Sequence, residues 1–420
     1  MQTCIDLNHN FSDGVKSIET YIMFRIKQEA IRLTPELTAK NRSPIYLSIG
    51  APVKEPPIFV KNALLNALNE PGYHLYSTPK GEPFYLEAVA KRMKNRFNVT
   101  VDPKTEIFSL IGSKEGLANV FRCLINQRSD KKQKDIILIP DPGYASYREQ
   151  IKVLGGLSYP IPLNAENNYM PNLDTVMENL KADGYSTENV RAVVINYPSN
   201  PLGASATKEY LGQVVDFARR NKLVLISDLA YADVYFEGEE PPASILEAEG
   251  AKDVAVEFHS LSKPYSMTGW RIGWVCGNKD IVSAIGKIKS TVDTGIFKAV
   301  QRAASEILVS EEGDKYIKEC NKEFQIKQQI MVKGFKELGW DMDNLLVPKA
   351  TFYLWLPIPQ RYPSSEAFTQ DLLEKSGIVA VPGSGFGKYG EGFFRLSLVS
   401  SDENLYEVIK RMKTDGFYFN

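Results

Sequence analysis

The stretch VAVEFHSLSKPYSMTGWRIGWVCG, residues 254–277, gathers an amine, two hydroxyls and a guanidinium just beyond an apolar run. The apolar run, Val254–Phe258, predicts a buried strand. The reactive groups that follow it are Ser260, Ser262, Lys263 and Arg271. An amine can form an imine with an aldehyde, while hydroxyls and a guanidinium can hold a phosphate. The stretch therefore predicts a site for a phosphorylated aldehyde at the end of a strand.

Pyridoxal phosphate is the common cofactor with that chemistry, and proteins bind it through a lysine Schiff base and an acidic partner for its ring nitrogen. A rival motif is also present, because Ser260-Leu261-Ser262-Lys263 fits the S-x-x-K nucleophile motif of β-lactamases and penicillin-binding proteins. Those families also need S-D-N and K-T-G downstream, and neither tripeptide occurs in the sequence. We therefore interpret Lys263 as the imine-forming residue.

The composition is that of an ordinary globular protein. The chain has 420 residues, enough for a large core and two domains, and is 43% apolar and 24% charged. Its 50 Lys plus Arg against 51 Asp plus Glu give no global field that favours nucleic acid or an anionic membrane. Four cysteines without ligand or redox spacing, and only three histidines, predict no metal site. The sequence shows no membrane-spanning apolar run and no signal peptide, so a cytoplasmic enzyme is expected.

Helical and strand patterns alternate through much of the chain. Ser17–Leu33 has apolar residues at helical spacing, and Tyr46–Gly50 predicts a short strand. The β-rich runs that follow are Ile107–Ile111, Ile136–Ile139, Ala192–Ile195, Leu223–Ser227, Val254–Phe258 and Ile272–Cys276. Strands that alternate with helices predict an α/β domain, in which a mostly parallel sheet is covered by helices.

A smaller α+β domain is predicted to follow the α/β domain, after a largely helical region from Lys279 to about Leu338. Its predicted strands are Thr351–Leu356, Ile378–Val381 and Phe393–Leu398. The predicted units are an N-terminal helix and strand segment that joins the small domain (1–57), a large cofactor-binding domain (58–320) and the small domain (321–420).

Residues that could bind a phosphorylated ligand follow several of the predicted strands. In open α/β sheets, ligands bind beyond the carboxyl ends of the strands. The groups found there are Gly112-Ser113-Lys114-Glu115-Gly116, Asp141-Pro142-Gly143-Tyr144, Asn200-Pro201, Asp228 and Tyr231. Each alone has an ordinary explanation as a helix start, a packing ring, a turn or a cap. Their recurrence at the same end of successive strands favours one shared site, in which the helix start at Ser113 supplies N–H groups to a phosphate.

A second rival motif lies near the C-terminus. Gly385-Phe386-Gly387-Lys388-Tyr389-Gly390 fits the G-x-G-x-x-G pattern of dinucleotide-binding proteins. That pattern works only where a helix N-terminus follows, and the next segment, Phe393–Leu398, predicts a strand instead. We interpret the loop as structural, or as a lid on the substrate side.

Several motifs of the chain, taken together, resemble those of one family. They are Leu47-Ser48-Ile49-Gly50, Tyr76-Ser77-Thr78-Pro79-Lys80-Gly81, Gly112-Ser113-Lys114-Glu115-Gly116, Asp141-Pro142-Gly143-Tyr144, Asn200-Pro201-Leu202-Gly203, Ser227-Asp228-Leu229-Ala230-Tyr231, Ser260-Leu261-Ser262-Lys263, Thr268-Gly269-Trp270-Arg271 and Phe394-Arg395-Leu396-Ser397. From about Ser17 to its C-terminus, the chain resembles the class I/II aminotransferases, which are fold type I pyridoxal-phosphate enzymes. Within that family, the motif sequences are most similar to those of the branch of diaminopimelate-type and aspartate-type aminotransferases.

The resemblance implies a role for each residue around the cofactor. Lys263 forms the Schiff base and then moves a proton between the substrate Cα and the cofactor C4′ atom. Asp228 pairs with the ring nitrogen, and Tyr144 stacks on the ring face. Tyr231 and Asn200 hydrogen-bond the ring hydroxyl oxygen. The residues implied to hold the phosphate are Ser113, Lys114, Ser260, Ser262 and Arg271, together with Tyr76 from the other subunit of a homodimer.

The resemblance also implies how the substrate is held. Arg395 grips the substrate α-carboxylate in a two-pronged ion pair, helped by Asn200 and by the backbone near Gly50. Leu202 stands where many relatives have a threonine, a change that should leave the Asn200 amide free to act. Whether Lys114 contacts the phosphate or a substrate carboxylate stays open at this point.

The function implied is that of a homodimeric aminotransferase, which exchanges an amino group between an amino acid and a 2-oxo acid by a ping-pong route. Glutamate and 2-oxoglutarate are expected as one pair, and LL-diaminopimelate or its N-succinyl precursor, in lysine biosynthesis, as the other amino compound. Aspartate or a neutral amino acid is the alternative substrate, and C–S β-elimination is the alternative chemistry. A transcriptional regulator with an aminotransferase-like domain needs a DNA-binding module, and the residues before Gly50 show one helix pattern and no basic cluster.

Overall fold

The computed structural model describes residues 8–18, 22–126 and 133–420. The strands are β1 (Ile45–Tyr46), β2 (Ile107–Leu110), β3 (Ile136–Asp141), β4 (Leu157–Pro162), β5 (Val190–Ile195), β6 (Val224–Asp228), β7 (Ala255–Ser260), β8 (Gly273–Gly277), β9 (Tyr353–Pro357), β10 (Ile378–Val379), β11 (Val381–Pro382) and β12 (Phe393–Ser397). The α-helices are α1 (Asp13–Ser17), α2 (Ile22–Ala39), α3 (Ile58–Leu68), α4 (Pro83–Phe97), α5 (Ser113–Leu124), α6 (Ser146–Val153), α7 (Leu173–Ala182), α8 (Lys208–Arg220), α9 (Ala251–Val254), α10 (Lys279–Lys289), α11 (Lys298–Leu308), α12 (Glu311–Glu337), α13 (Ser365–Ser376) and α14 (Asp402–Thr414).

The central element is a seven-stranded sheet in the order β2-β8-β7-β6-β5-β3-β4. The strands from β7 to β4 run parallel to one another, while β8 is antiparallel to both β7 and β2. The predicted α/β class with a mostly parallel sheet is therefore confirmed. The parallel strands bring their carboxyl ends to one edge, and that edge carries the residues discussed below.

Burial on both faces explains why the central strands read as apolar runs. All six residues of β3 are buried, and so are all six of β7. The covering helices are amphipathic: α8 buries its apolar residues, and Thr207 caps its N-terminus by accepting a hydrogen bond from the Tyr210 N–H. The edge strand β4 was not predicted, because its sequence LSYPIP holds two prolines and alternates in burial. Proline is tolerated at such an edge, where ladder donors are not required on both sides.

A second, antiparallel sheet has the order β11-β12-β9, and the short strands β1 and β10 pair in parallel beside it. The N-terminal segment thus joins the C-terminal part of the chain, through the pairing of Ile45 with Ile378. The predicted strand at residues 46–50 is wrong in extent, because only residues 45–46 pair as a strand. The predicted helix start at residues 17–21 differs as well: α2 begins at Ile22, and residues 19–21 lie outside the described ranges.

The long helix α12 runs through residues 320 and 321, where a domain boundary was predicted. The boundaries at 57 and 320 remain predictions. Within the described ranges, no helix combines the length and the apolar character that a membrane crossing requires.

Candidate active site

A cavity of about 830 Å³ opens at the carboxyl edge of the central sheet, where it faces the antiparallel sheet. Twelve of the residues predicted for the site line it: Gly50, Ser113, Lys114, Tyr144, Asn200, Asp228, Tyr231, Ser260, Ser262, Lys263, Arg271 and Arg395. The strand-end segments that carry most of them are far apart in the sequence, and the parallel sheet brings them to one place.

Lys263 follows the end of β7 by three residues, and its amine lies inside the cavity. Its Nζ donates a hydrogen bond to the Gly50 carbonyl oxygen at 2.5 Å. Burial, together with the nearby guanidinium groups of Arg395 and Arg271, lowers the pKa of Lys263 to about 8. A substantial share of the amine is therefore neutral near physiological pH, and a neutral amine is the form that attacks a carbonyl carbon.

Asp228 is the last residue of β6 and is buried. Its Oδ2 accepts a hydrogen bond from the Tyr147 hydroxyl at 2.7 Å. Its Oδ1 has no hydrogen-bond partner among the described residues. Burial raises the pKa of Asp228 above its ordinary value, and the bond from Tyr147 offsets only part of that rise. A buried carboxylate oxygen without a partner is costly, so this position is suited to a ligand that brings a donor or a positive charge.

An anion site lies at the N-terminus of α5. Gly112 precedes that helix with φ +109°, and a Cβ atom placed there would lie 2.4 Å from Nη2 of Arg271. The glycine thus lets the guanidinium approach the helix start, while Arg271 Nη1 donates to the Thr268 carbonyl at 2.7 Å. The hydroxyls of Ser260 and Ser262 line the same cavity. The N–H groups of a helix start, a guanidinium and hydroxyls together are the donor set that binds phosphate.

A cationic site lies on the opposite side of the cavity, where β12 presents Arg395. This side chain is buried, with Nη1 donating to Asn200 Oδ1 at 2.7 Å and Nη2 to the Ser48 carbonyl at 3.0 Å. The rings of Tyr353 and Phe386 lie 4.3 and 4.8 Å from the guanidinium carbon. In the part of the chain that the structure describes, the Nε of Arg395 has no partner and no carboxylate pairs with the group. It is therefore ready to bind a ligand carboxylate.

Four residues of the site were not predicted from the sequence. Tyr147 contacts Asp228, Tyr353 Oη lies 2.7 Å from Tyr231 Oη, and Phe386 lines the cavity. Asn196 joins two strand ends, because its amide accepts from the Asn200 N–H and donates to the Asp228 carbonyl, both at 2.8 Å. The spacing of three between Tyr144 and Tyr147 at the start of α6 was the available signal for Tyr147.

One predicted residue lies away from the cavity. The side chain of Tyr76 is 84% exposed and does not line the cavity of its own chain. That position agrees with a residue that serves the site of a second chain, which remains a prediction.

The glycine-rich loop at residues 385–390 forms two short 3₁₀ turns and leads directly into β12. Asp141 accepts hydrogen bonds from the N–H groups of Lys388 and Tyr389, at 3.1 and 3.0 Å. The loop therefore packs against the end of β3 and places Phe386 at the cavity.

Within the described ranges, His, Cys, Asp and Glu form no cluster of three or more that could hold a metal ion.

Comparisons with known proteins agree with this geometry. The family model for aminotransferase class I and II matches residues 42–412. The LL-diaminopimelate aminotransferase of Aquifex aeolicus is 40% identical over 96% of this chain and 98% of its own length, and that of Moorella thermoacetica is 38% identical over 95% and 96%. Among solved structures, substrate-bound BacF from Bacillus subtilis has a TM-score of 0.88 and 31% identity, over 98% of each chain. The chain belongs to the class I and II aminotransferases.

Proposed function

We propose that this pyridoxal-phosphate-dependent aminotransferase uses glutamate and 2-oxoglutarate as one substrate pair, and LL-diaminopimelate and its oxo acid as the other. Support for the second pair comes from the relatives, since those identical at 36–40% over nearly their whole length are named LL-diaminopimelate aminotransferases. The same names favour the free compound over its N-succinyl precursor. The observation that carries the proposal is this full-length similarity, combined with a cavity that holds Lys263, Asp228 and Arg395 together.

The cavity has the donors and acceptors that pyridoxal phosphate needs. The unpartnered Oδ1 of Asp228 suits a protonated ring nitrogen, and the anion site at the start of α5 suits the phosphate. Lys263 suits the aldehyde, since burial and two guanidinium groups keep part of it neutral. When bound, the cofactor supplies an aldehyde carbon and a ring that accepts the electrons left when the substrate loses its Cα proton.

Lys263 is proposed as the group that moves the proton. With the cofactor bound, its Nζ would carry the proton from the amino acid Cα to the cofactor C4′ atom, and from C4′ back to Cα when an oxo acid is the substrate. A general base works best when its pKa lies near the working pH, and a pKa of about 8 for Lys263 meets that condition. The Gly50 carbonyl, which now accepts a hydrogen bond from Nζ, orients the amine in the cavity.

Asp228 is proposed to act as a carboxylate that keeps the ring nitrogen protonated. Burial opposes the charged form, whereas the hydrogen bond from Tyr147 and a nearby positive charge favour it. Tyr147 leaves only Oδ1 available to the ring, so it also fixes the direction of the carboxylate. Tyr147 is thus a positioning residue that acts through Asp228.

Arg395 is proposed to bind the substrate α-carboxylate. Asn200 and the Ser48 carbonyl hold the guanidinium, and the two flanking rings of Tyr353 and Phe386 restrict its plane. A fixed planar guanidinium can bind a carboxylate with two parallel hydrogen bonds. For Lys114, which lines the cavity beside Ser113, we propose contact with the phosphate or with a second substrate carboxylate.

We further propose a homodimer with shared sites. An apolar surface, here called the α3 surface, is exposed around α3 and includes Ile58 (69%), Leu65 (59%), Leu75 (60%) and Phe297 (47%). Tyr76 lies beside Leu75, and the Tyr73 and Phe297 rings pack edge to face at 6.2 Å. Several exposed apolar groups in one region favour an interaction surface, and a two-fold dimer uses the same surface twice. In that dimer Tyr76 would reach the partner's phosphate. The cytoplasm is the proposed location.

The absorption spectrum of the purified enzyme tests this function. A visible band that is lost in Lys263→Ala identifies the lysine-bound cofactor. Glutamate and LL-diaminopimelate, added separately without any oxo acid, should bleach that band, whereas leucine and aspartate should bleach it more slowly. Bleaching by aspartate or leucine alone would contradict the proposed substrates. Release of pyruvate from a cysteine conjugate, in the absence of an oxo acid, would show that the enzyme catalyses β-elimination rather than transamination.

A further inference from the structure

One face of helix α2 borders the cavity. Met23, Lys27 and Ile31 all line it, and their spacing of four residues places them in a single row along the helix. We call this row the α2 stripe. The neighbouring face of α2 buries Ala30, Leu33 and Leu37 in a cluster with residues of α13 and β10. This packing fixes the helix, so the α2 stripe has a defined position at the cavity.

Lys27 differs from the other basic residues of α2. Arg25 forms an ion pair with Glu366 at 3.7 Å, and Arg32 forms one with Glu29 at 2.5 Å. Across the described ranges of the chain, no ion pair or hydrogen bond is found for the Lys27 side chain. An amine on the cavity wall that has no carboxylate of its own is available to a ligand.

The charges that line the cavity are unevenly distributed. The basic residues are Lys27, Lys114, Lys263, Arg271 and Arg395, whereas Asp228 is the only acidic residue among the described lining residues. The proposed function uses Lys263, Arg271 and Arg395 for the cofactor and the α-carboxylate, and Asp228 for the ring. Lys27 remains as a positive charge on the lining that the proposed function does not use. A field of this sign attracts a substrate that carries a second negative group.

We propose that Lys27 is a specificity-determining residue, which binds the second carboxylate of dicarboxylic substrates at the α2 side of the cavity. The inference rests on the proposed function, in which glutamate, 2-oxoglutarate and LL-diaminopimelate all carry a second carboxylate. The cavity volume of about 830 Å³ leaves room beyond the reacting centre for such a side chain. In LL-diaminopimelate, Lys27 binds the distal carboxylate. The distal ammonium group needs a carboxylate partner from outside the described lining of one chain, because Asp228 is used by the ring.

Binding of two small acids to the holoenzyme tests this role. Glutarate and pentanoate differ in one carboxylate, and titration calorimetry measures the affinity of each without turnover. In Lys27→Ala, glutarate affinity should fall about fivefold, as expected for a partly exposed charge pair, and pentanoate affinity should stay unchanged. Lys27→Arg should keep the preference for glutarate. Arg25→Ala is the matched control, because it removes a charge two residues away that does not line the cavity.

Loss of both affinities in equal measure, or the same loss in Arg25→Ala, would overturn the role of Lys27. A second experiment compares glutamate with norvaline in the half-reaction, and it tests the proposed substrates separately from the role of Lys27. If glutamate reacts no better than norvaline but glutarate binding depends on Lys27, the proposed substrates fail and the carboxylate site stands. If glutamate reacts well but glutarate and pentanoate bind equally, the carboxylate site fails and the proposed substrates stand.

Discussion

The floor and the mouth of the cavity are built differently. The floor consists of the strand-end residues Asn200, Asp228, Tyr231 and Lys263, and the first three are more than nine-tenths buried. The mouth consists of the α2 stripe and Ile49, where Ile31 is 56% exposed and Ile49 is 41% exposed. Each floor side chain forms a hydrogen bond within the protein: three bond to other side chains, and Lys263 bonds to the Gly50 carbonyl. The mouth residues face open space and offer one cation, Lys27, without an ion pair in the described ranges.

Because of this difference, the floor determines how the reaction proceeds, and the mouth determines which substrates are preferred. In the floor, the position of each polar group is set by neighbours of the same chain that bury it. In the mouth, an exposed side chain costs little to exchange, and substrate preference can change without disturbing the fold. Substitutions in the floor should therefore change rates for every substrate, whereas substitutions in the mouth should change rates for some substrates only.

The largest effect is expected from Asp228→Asn, which removes the charge but keeps the shape. The half-reaction should slow by about a thousandfold for every amino acid, as when one preorganised electrostatic group is lost. Asp141→Asn is the matched control, because Asp141 is also a buried carboxylate, but its oxygens accept hydrogen bonds from the loop residues Lys388 and Tyr389. Single-turnover absorbance measures both variants. A similar loss in both, with unchanged thermal unfolding, would show that the floor has no special role for Asp228.

The floor was largely predictable from the sequence, and the reason lies in the parallel sheet. A strand of apolar residues marks its own carboxyl end, so Asp228 after β6 and Lys263 after β7 could be placed at one edge without knowledge of any contact. The comparison of the whole motif set then gave the family. Exact strand limits were less predictable, because each strand ends where its neighbours stop pairing, which the local sequence does not report.

The parts that were missed depend on the second sheet. Tyr353 lies on β9 and Phe386 in a loop before β12, and neither has a local pattern that distinguishes it from a core aromatic residue. Lys27 was not predicted either, since a lysine on an amphipathic helix is usually solvated. Its position on the cavity wall depends on how α2 packs against α13, a long-range contact that no spacing along the chain reveals.

A smaller effect is expected where the floor meets the phosphate site. In Gly112→Ala, the new Cβ atom collides with Arg271, and φ +109° is unfavourable for alanine. Losing one charge-assisted hydrogen bond should weaken cofactor binding roughly tenfold to a hundredfold. Gly155→Ala is the control, since its φ is also positive (+82°) but no atom lies within 4 Å of the new Cβ.

Cofactor release, followed by absorbance after dilution, measures both glycine variants. Faster release from Gly112→Ala with unchanged release from Gly155→Ala supports a close approach of Arg271 to the helix start. Release from Gly112→Ala that is no faster than from Gly155→Ala would show that the anion site does not depend on this contact.

The smallest effect concerns pH, and it tests whether burial in the floor sets the reactivity of Lys263. Because burial and then Arg395 and Arg271 lower the pKa of Lys263 to about 8, the apo-enzyme should capture pyridoxal phosphate about fivefold faster at pH 8 than at pH 7, as the neutral amine increases. Above pH 9 the rate should level off. In Arg395→Met, loss of a cation favours the ammonium form, so the midpoint should move to higher pH. A rate that still climbs above pH 10 in the wild type would show that the lysine keeps its ordinary pKa, and that the floor does not tune it.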